Sequence, residues 1–386
     1  MLNDGQTLLV TGMQRSGTTL LDKLLDQHPA VSLLSQPFPL LLIEAKRTLF
    51  QTLGHAPPRY ALDPLFRETR YAPDDLNRFL KEFRIDRRWL ENVFAEMRDF
   101  SGQYTRFPSP QLERALAIFQ PGPLAETLIQ LYRLLSSKTE AVCYGGKETL
   151  GEEFLPYLLD QGIKAILILR DPRAVLASLN CSEGHRFAGA FKPTLFNLRH
   201  WRKSVAFALH LDSHPGFCWF RYEDLVTKPW STLDRLTDFL GIAPFARDTF
   251  KGGIRDRDGR LWEGNSSHGV QAEISAASLC RYHALLSGNV IAFVEACCYP
   301  ELRTLNYPLT VQPSKIPAIL RNFEDPYAGW RAELADYRPN PQTLADEIER
   351  FEAWKNRDAA KSRDFFLFED VLERLCTPDN PKQLSG

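Results

Sequence analysis

Between Gln6 and His28 the chain reads QTLLVTGMQRSGTTLLDKLLDQH. The short apolar run from Leu8 to Val10 suits a buried parallel strand, Gly12 turns the chain, and apolar residues then recur at 20, 21, 24 and 25 with the spacing of a helix packed on that strand. The segment is therefore expected to be strand, loop and helix. At such a junction the free N–H groups and positive end of the helix face outward, and Arg15 with the hydroxyls of Ser16, Thr18 and Thr19 adds donors, so the loop should cradle an anion.

Working outward, Val31 to Leu34 reads as a second strand, closed by Ser35-Gln36-Pro37-Phe38-Pro39. From residue 40 to 137 helical segments alternate with Pro-containing loops, which predicts a helical insertion on the acceptor side of a site at the carboxyl end of the sheet. The sheet resumes at Ala141 to Tyr144, followed by Gly145-Gly146-Lys147-Glu148-Thr149, and Lys164 to Leu169 is a continuously apolar strand ending in Arg170-Asp171-Pro172-Arg173. Pro172 suits the first turn of a helix. A helix over 194–213, a strand over Phe217 to Phe220 and a helix over Trp230 to Leu240 follow. The Gly-rich polar segment 250–269 has no hydrophobic period and reads as a long functional loop. The expected domains are residues 1–310, with the insertion at 40–137, and a C-terminal helical extension, 311–386. The extension carries an amphipathic helix over Gln342 to Trp354 and the aromatics Phe365, Phe366 and Phe368, which must be buried on the chain's own domain or in a homodimer contact.

With 386 residues the chain can bury a sizeable core, and with 47 basic against 48 acidic residues it has no global field to draw nucleic acid or an anionic membrane. An anion site must be local. The absence of a basic-then-apolar leader and of a long apolar run predicts a cytoplasmic protein. Seven scattered cysteines without C-x-x-C spacing read as free thiols, and no metal site is implied.

Gly12 and Gly17 have the separation of a P-loop, but Thr18-Thr19 stand where that motif needs Lys before Ser/Thr, which weighs against a metal-dependent kinase or NTPase. The set Gly12-Met13-Gln14-Arg15-Ser16-Gly17-Thr18-Thr19, Arg170-Asp171-Pro172-Arg173 with Ser178, and Tyr222-Glu223-Asp224-Leu225 resembles the signature of sulfotransferases that use 3′-phosphoadenosine 5′-phosphosulfate (PAPS), in their bacterial and tyrosylprotein-like branches. The resemblance runs through these anchors from about residue 5 to 308. It implies an α/β fold, a P-loop-like parallel β-sheet flanked by helices, and a small-molecule acceptor.

Carried onto this sequence, the resemblance implies that Arg15, Ser16, Gly17, Thr18 and Thr19 hold the phosphosulfate, that Arg170 and Ser178 bind the 3′-phosphate, and that Tyr222 lies near the adenine. Trp262 to Ser267, with Asn265 and Ser266, resembles a segment that closes over the nucleotide, and Arg255, Arg257 and Arg260 are further phosphate-ligand candidates. Lys147 and Arg15 would neutralise the departing bisphosphate (PAP). For the catalytic base the family has a Glu where Gln36 stands here, or a His where Thr149 stands. The nearest ionisable substitute is Glu148, with His55, His185, Glu152 and Glu153 also open. The lost base positions leave a second reading, a catalytically silent nucleotide-binding protein.

Overall fold

The structure, a computed structural model, describes residues 5–54, 71–99, 109–136, 138, 140–181, 192–256, 259–262, 274–327 and 338–377. Its elements begin with β1 (Gln6–Thr11), α1 (Thr18–Asp26), β2 (Val31–Ser35), α2 (Pro39–Thr52), α3 (Pro73–Glu82), β3 (Arg84–Ile85), α4 (Arg87–Asp99), α5 (Ser109–Ile118), β4 (Gly122–Pro123) and α6 (Leu124–Leu134). They continue with β5 (Cys143–Lys147), α7 (Leu155–Asp160), β6 (Lys164–Leu169), α8 (Pro172–Asn180), α9 (Thr194–His210) and β7 (Phe217–Arg221). Short helices follow to residue 321, and a last group, Pro341–Lys355, Ser362–Phe365 and Glu369–Cys376, closes the described chain.

Five strands form one parallel sheet in the order β2-β5-β1-β6-β7. The first three parallel-strand segments fall where their apolar runs predict. Their neighbours differ from chain order, because β5 enters between β1 and β2 after the whole insertion. Two glycines make that entry fit. A Cβ on Gly145 would stand 1.9 Å from the Leu8 carbonyl oxygen, and one on Gly146 would stand 2.6 Å from the Tyr132 ring of α6.

The sheet separates two apolar cores. One holds Leu8, Val10 and Ile166 with the leucines of α1 and Leu225, Leu233 and Leu236. The other, larger core joins Leu167 and Leu169 with the insertion, α9 and the C-terminal helices. The insertion is helical as expected, save for the two-residue antiparallel ribbon β3–β4, too short to show a period in sequence.

The aromatics of the C-terminal helices are buried within the chain: Phe351, Trp354, Phe365 and Phe366 all join the larger core. Charge ties reinforce this packing, with Glu347 between Arg199 and Arg202 of α9 and Arg350 paired with Glu301. All seven cysteines are free thiols; Cys143, Cys218, Cys297 and Cys298 are buried, whereas Cys280 is exposed. Among the described residues no helix is long and apolar enough to cross a membrane.

Candidate active site

Because all five strands are parallel, their carboxyl ends line up, and the loop after β1 lies between the ends of β5 and β6. That loop is bent sharply: Gly12, Arg15 and Gly17 all have positive φ, at 147°, 67° and 97°. Gly17 is the N-cap of α1 and offers no capping side chain, so the first N–H groups of the helix are left to a ligand. Two contacts explain why glycines stand here. A Cβ on Gly12 would lie 2.5 Å from the Ile168 carbonyl oxygen, and one on Gly17 would lie 2.3 Å from the Tyr222 ring.

On the β6–β7 side, the three sequence anchors meet. Arg15 donates through Nε to Ser178 Oγ at 2.9 Å, and Arg170 donates through Nη1 to the Arg15 carbonyl at 3.0 Å. The Arg170 guanidinium lies 4.4 Å from the centre of the Tyr222 ring, which is itself wedged against Gly17. Burial, and then the neighbouring Arg170, pushes the Arg15 guanidinium down from its ordinary range, the signature of two cations gathered for an anion. Two donors here are buried without a hydrogen-bond partner, Ser16 Oγ and Arg170 Nε. Such orphans in an apolar setting are costly unless a ligand or water meets them.

Ser278 was not among the sequence candidates. Its Oγ lies 3.3 Å from Arg170 Nη2 and 3.1 Å from the Tyr222 hydroxyl, closing the arginine over the ring. It sits in the single turn Ala276–Ser278, and no motif in the sequence marks it. Asp171 takes its helix-start role: its Oδ1 accepts from the Arg173 backbone N–H at 2.9 Å. Arg173 is structural too, buried between Asp171, Glu295 and the Pro308 carbonyl.

On the β5 side, Lys147 ends its strand opposite Val10 and is 3% exposed. Its Nζ donates to Gln36 Oε1 at 3.3 Å and lies 3.8 Å from Asp22 Oδ2. Gln36 is held in the left-handed region at φ 50°, turning its amide toward the lysine. Glu148 is buried; its Oε1 accepts from the Phe38 backbone N–H at 2.7 Å, and its Oε2 has no partner. Burial pushes this carboxyl up to about 8, against the pull of the Phe38 N–H and Lys147.

The other base candidates are engaged or lie elsewhere. Glu153 is shared by Lys46 and Lys203, each 2.9 Å away, and accepts from the Tyr71 hydroxyl. Burial would raise it, but Lys203 and Lys46 outweigh burial and hold it near about 2. Glu152 accepts from Ser204. Arg255 and Arg260 are exposed. Their loop is anchored by a bridge between Arg255 and Leu261. His55, His185, Arg257, Asn265 and Ser266 lie outside the described residues.

Residues 7–118 match the model of the Sulfotransferase family. The matched segment carries the cradle and part of the insertion, while Lys147, Arg170 and Tyr222 lie beyond it. Among solved structures, the chain is similar to the sulfotransferase domain from the curacin biosynthetic pathway at 18% identity, covering 79% of this chain and 99% of that one with a TM-score of 0.45. It is also similar to the sulfotransferase domain of the Synechococcus PCC 7002 olefin synthase, at 20% identity, 80% and 97% coverage and a TM-score of 0.45. A sulfotransferase from Mycobacterium avium aligns at 15% identity over 80% of this chain and 79% of its own, with a TM-score of 0.38. A search of curated proteins found no match.

Proposed function

We propose that this chain, a sulfotransferase by the family of its residues 7–118, moves a sulfuryl group from PAPS to a hydroxyl or nitrogen of a small metabolite or natural product in the cytoplasm. The donor supplies the activated sulfuryl group and a bisphosphate leaving group. What the chain must add is positioning and charge stabilisation, the two largest contributions in transfers of this kind.

One observation carries the choice of donor: two unpartnered buried donors, Ser16 Oγ and Arg170 Nε, lie in a cradle whose bend needs Gly12 and Gly17. The residues fit a ligand with two anionic groups. The α1 amino terminus with Ser16, Thr18 and Thr19 receives one, Arg170 and Ser178 receive the other, and Arg15, tied to Ser178, stands between them. Tyr222 buttresses Gly17 and Arg170, and Ser278 locks that stack.

Lys147 is assigned to the leaving phosphate at the β5 end. The acceptor heteroatom bonds to sulfur as the bond from sulfur to the bridging oxygen breaks, that electron pair stays on the leaving phosphate, and the acceptor's proton goes to Glu148. A carboxyl raised to about 8 is a proton acceptor matched to neutral conditions, and its free Oε2 leaves a lone pair for the purpose.

Calorimetry with PAP tests the site directly. The protein should bind PAP without added metal, and Arg170→Ala and Arg15→Ala should each weaken it by about 10-fold or more, the worth of a charge-assisted hydrogen bond. Unchanged affinity in both variants would overturn the assignment, and magnesium-dependent ATP turnover without PAP affinity would replace it with a kinase reading.

A further inference from the structure

Lys147 is buried, and a buried ammonium needs a counter-charge. Gln36, directly against it, is a neutral amide and provides only a carbonyl oxygen. The charge comes from another element. Asp22 of α1, 1% exposed, has Oδ2 3.8 Å from Lys147 Nζ. The same oxygen accepts from Ser35 Oγ at 2.7 Å, which fixes the carboxylate's orientation, and Oδ1 lies 3.4 Å from Lys23 Nζ.

Nothing in the amphipathic pattern of α1 asks for an acid here. The helix buries Leu20, Leu21, Leu24 and Leu25, and Asp22 is the acid it buries with them. A buried carboxylate without a task is expensive. This one points at the single lysine that ends the strand beside the cradle.

We propose that Asp22 is a positioning residue for Lys147: its carboxylate, oriented by Ser35, keeps this lysine charged and aimed at the place where the leaving phosphate develops its charge. The proposal rests on the assignment of Lys147 to the donor made above. The groups facing Lys147 are Asp22 and Lys23 from α1, Ser35 and Gln36 from the end of β2, and Glu148 beside it on its own strand. Burial pushes the Lys147 ammonium down from the usual lysine range, Asp22 and then Glu148 push it up, and Lys23 pushes it down. Asp22 is thus the leading support of the charged form, so removing it must let Lys147 lose its proton at lower pH.

Two measurements on the full chain test this. In the first, lysine side chains are labelled with carbon-13 at Cε, Lys147 is identified by Lys147→Arg, and its titration is followed by NMR. Asp22→Asn should lower the Lys147 midpoint by about one unit, a tenfold change, while Asp22→Glu restores most of it. In the second, PAP affinity is measured by calorimetry near pH 6.5 and near pH 9. Asp22→Asn should bind almost normally at the lower pH and lose about 10-fold more than the parent at the higher, a difference that Lys147→Ala abolishes.

An unmoved Lys147 midpoint, or a PAP deficit equal at both pH values, overturns the proposal. A moved midpoint in a protein that binds no PAP at all overturns the donor assignment instead, and with it the catalytic meaning of the pair. If Asp22→Asn does not fold, Ser35→Ala, which frees the carboxylate without removing it, should shift the midpoint in the same direction by less; no shift there counts against the proposal.

Discussion

At the scale of single residues, the two glutamates near the end of β5 have opposite environments and predict opposite pH behaviour. Glu148 has its folded value raised to about 8 by burial, so the stability it contributes is present in full below the ordinary glutamate range and is lost as pH rises through about 8. Glu153 is held near about 2, so its contribution is present above the ordinary range and is lost only as pH falls toward about 2. Urea midpoints should therefore fall between about pH 6 and about pH 9, and Glu148→Gln, which keeps an acceptor for the Phe38 N–H, should flatten that fall. Glu153→Ala removes the carboxylate shared by Lys46 and Lys203 and should cost about 3–5 kcal/mol at neutral pH. If Glu148→Gln leaves the alkaline slope unchanged, the raised carboxyl is not its source. Arg15, Arg170, Ser178, Lys147 and Glu148 could be named from sequence because they stand at strand ends or in the turns after them, where a motif has a fixed address. Asp22 and Ser278 could not, since each owes its place to an element far away in the chain, β2 and β5 for the first and β6 for the second.

At the scale of elements, each parallel strand was legible because burial on both faces leaves it continuously apolar. Their order was not, because the pairing of β5 with both β1 and β2 depends on close approach at Gly145 and Gly146, and glycines in sequence read equally well as a turn. Gly17 shows how an element junction and a site become one object. Its φ of 97° and the Tyr222 ring behind it both exclude a side chain. Gly17→Ala should destabilise the protein by about 2 kcal/mol or more, combining a left-handed backbone penalty with overpacking. In a Tyr222→Ala background the clash is gone and only about 1 kcal/mol of backbone strain should remain. Equal costs in the two backgrounds, measured by denaturant unfolding, would mean that Tyr222 does not buttress the cradle.

At the scale of the whole molecule, the sequence divides the chain near residue 310, whereas the packing runs across that point. The helix Pro341–Lys355 buries Leu344, Phe351 and Trp354 in the core that also holds Leu198, Val205 and Leu209 of α9. Glu347 is buried between Arg199 and Arg202; burial would raise it, but Arg202 and Arg199 outweigh burial and hold it near about 2. Arg202 in turn donates to the Cys297 carbonyl, so the pair pins three segments together. α9 also carries Lys203 and Ser204, which hold Glu153 and Glu152 just beyond β5, and the Trp201 indole, which donates to the Arg170 carbonyl at 2.7 Å. The extension therefore supports both ends of the candidate site through one helix. Glu347→Ala, which strands buried arginine charge, should cost about 3–5 kcal/mol and weaken PAP binding although no part of it touches the cradle. The full chain should unfold in urea in one transition reported alike by Trp354 in the extension and by Trp219 on β7, each read in a variant with the other tryptophans replaced by Phe. Two separated transitions would instead make the extension an independent unit and confine the Glu347→Ala effect to the first of them.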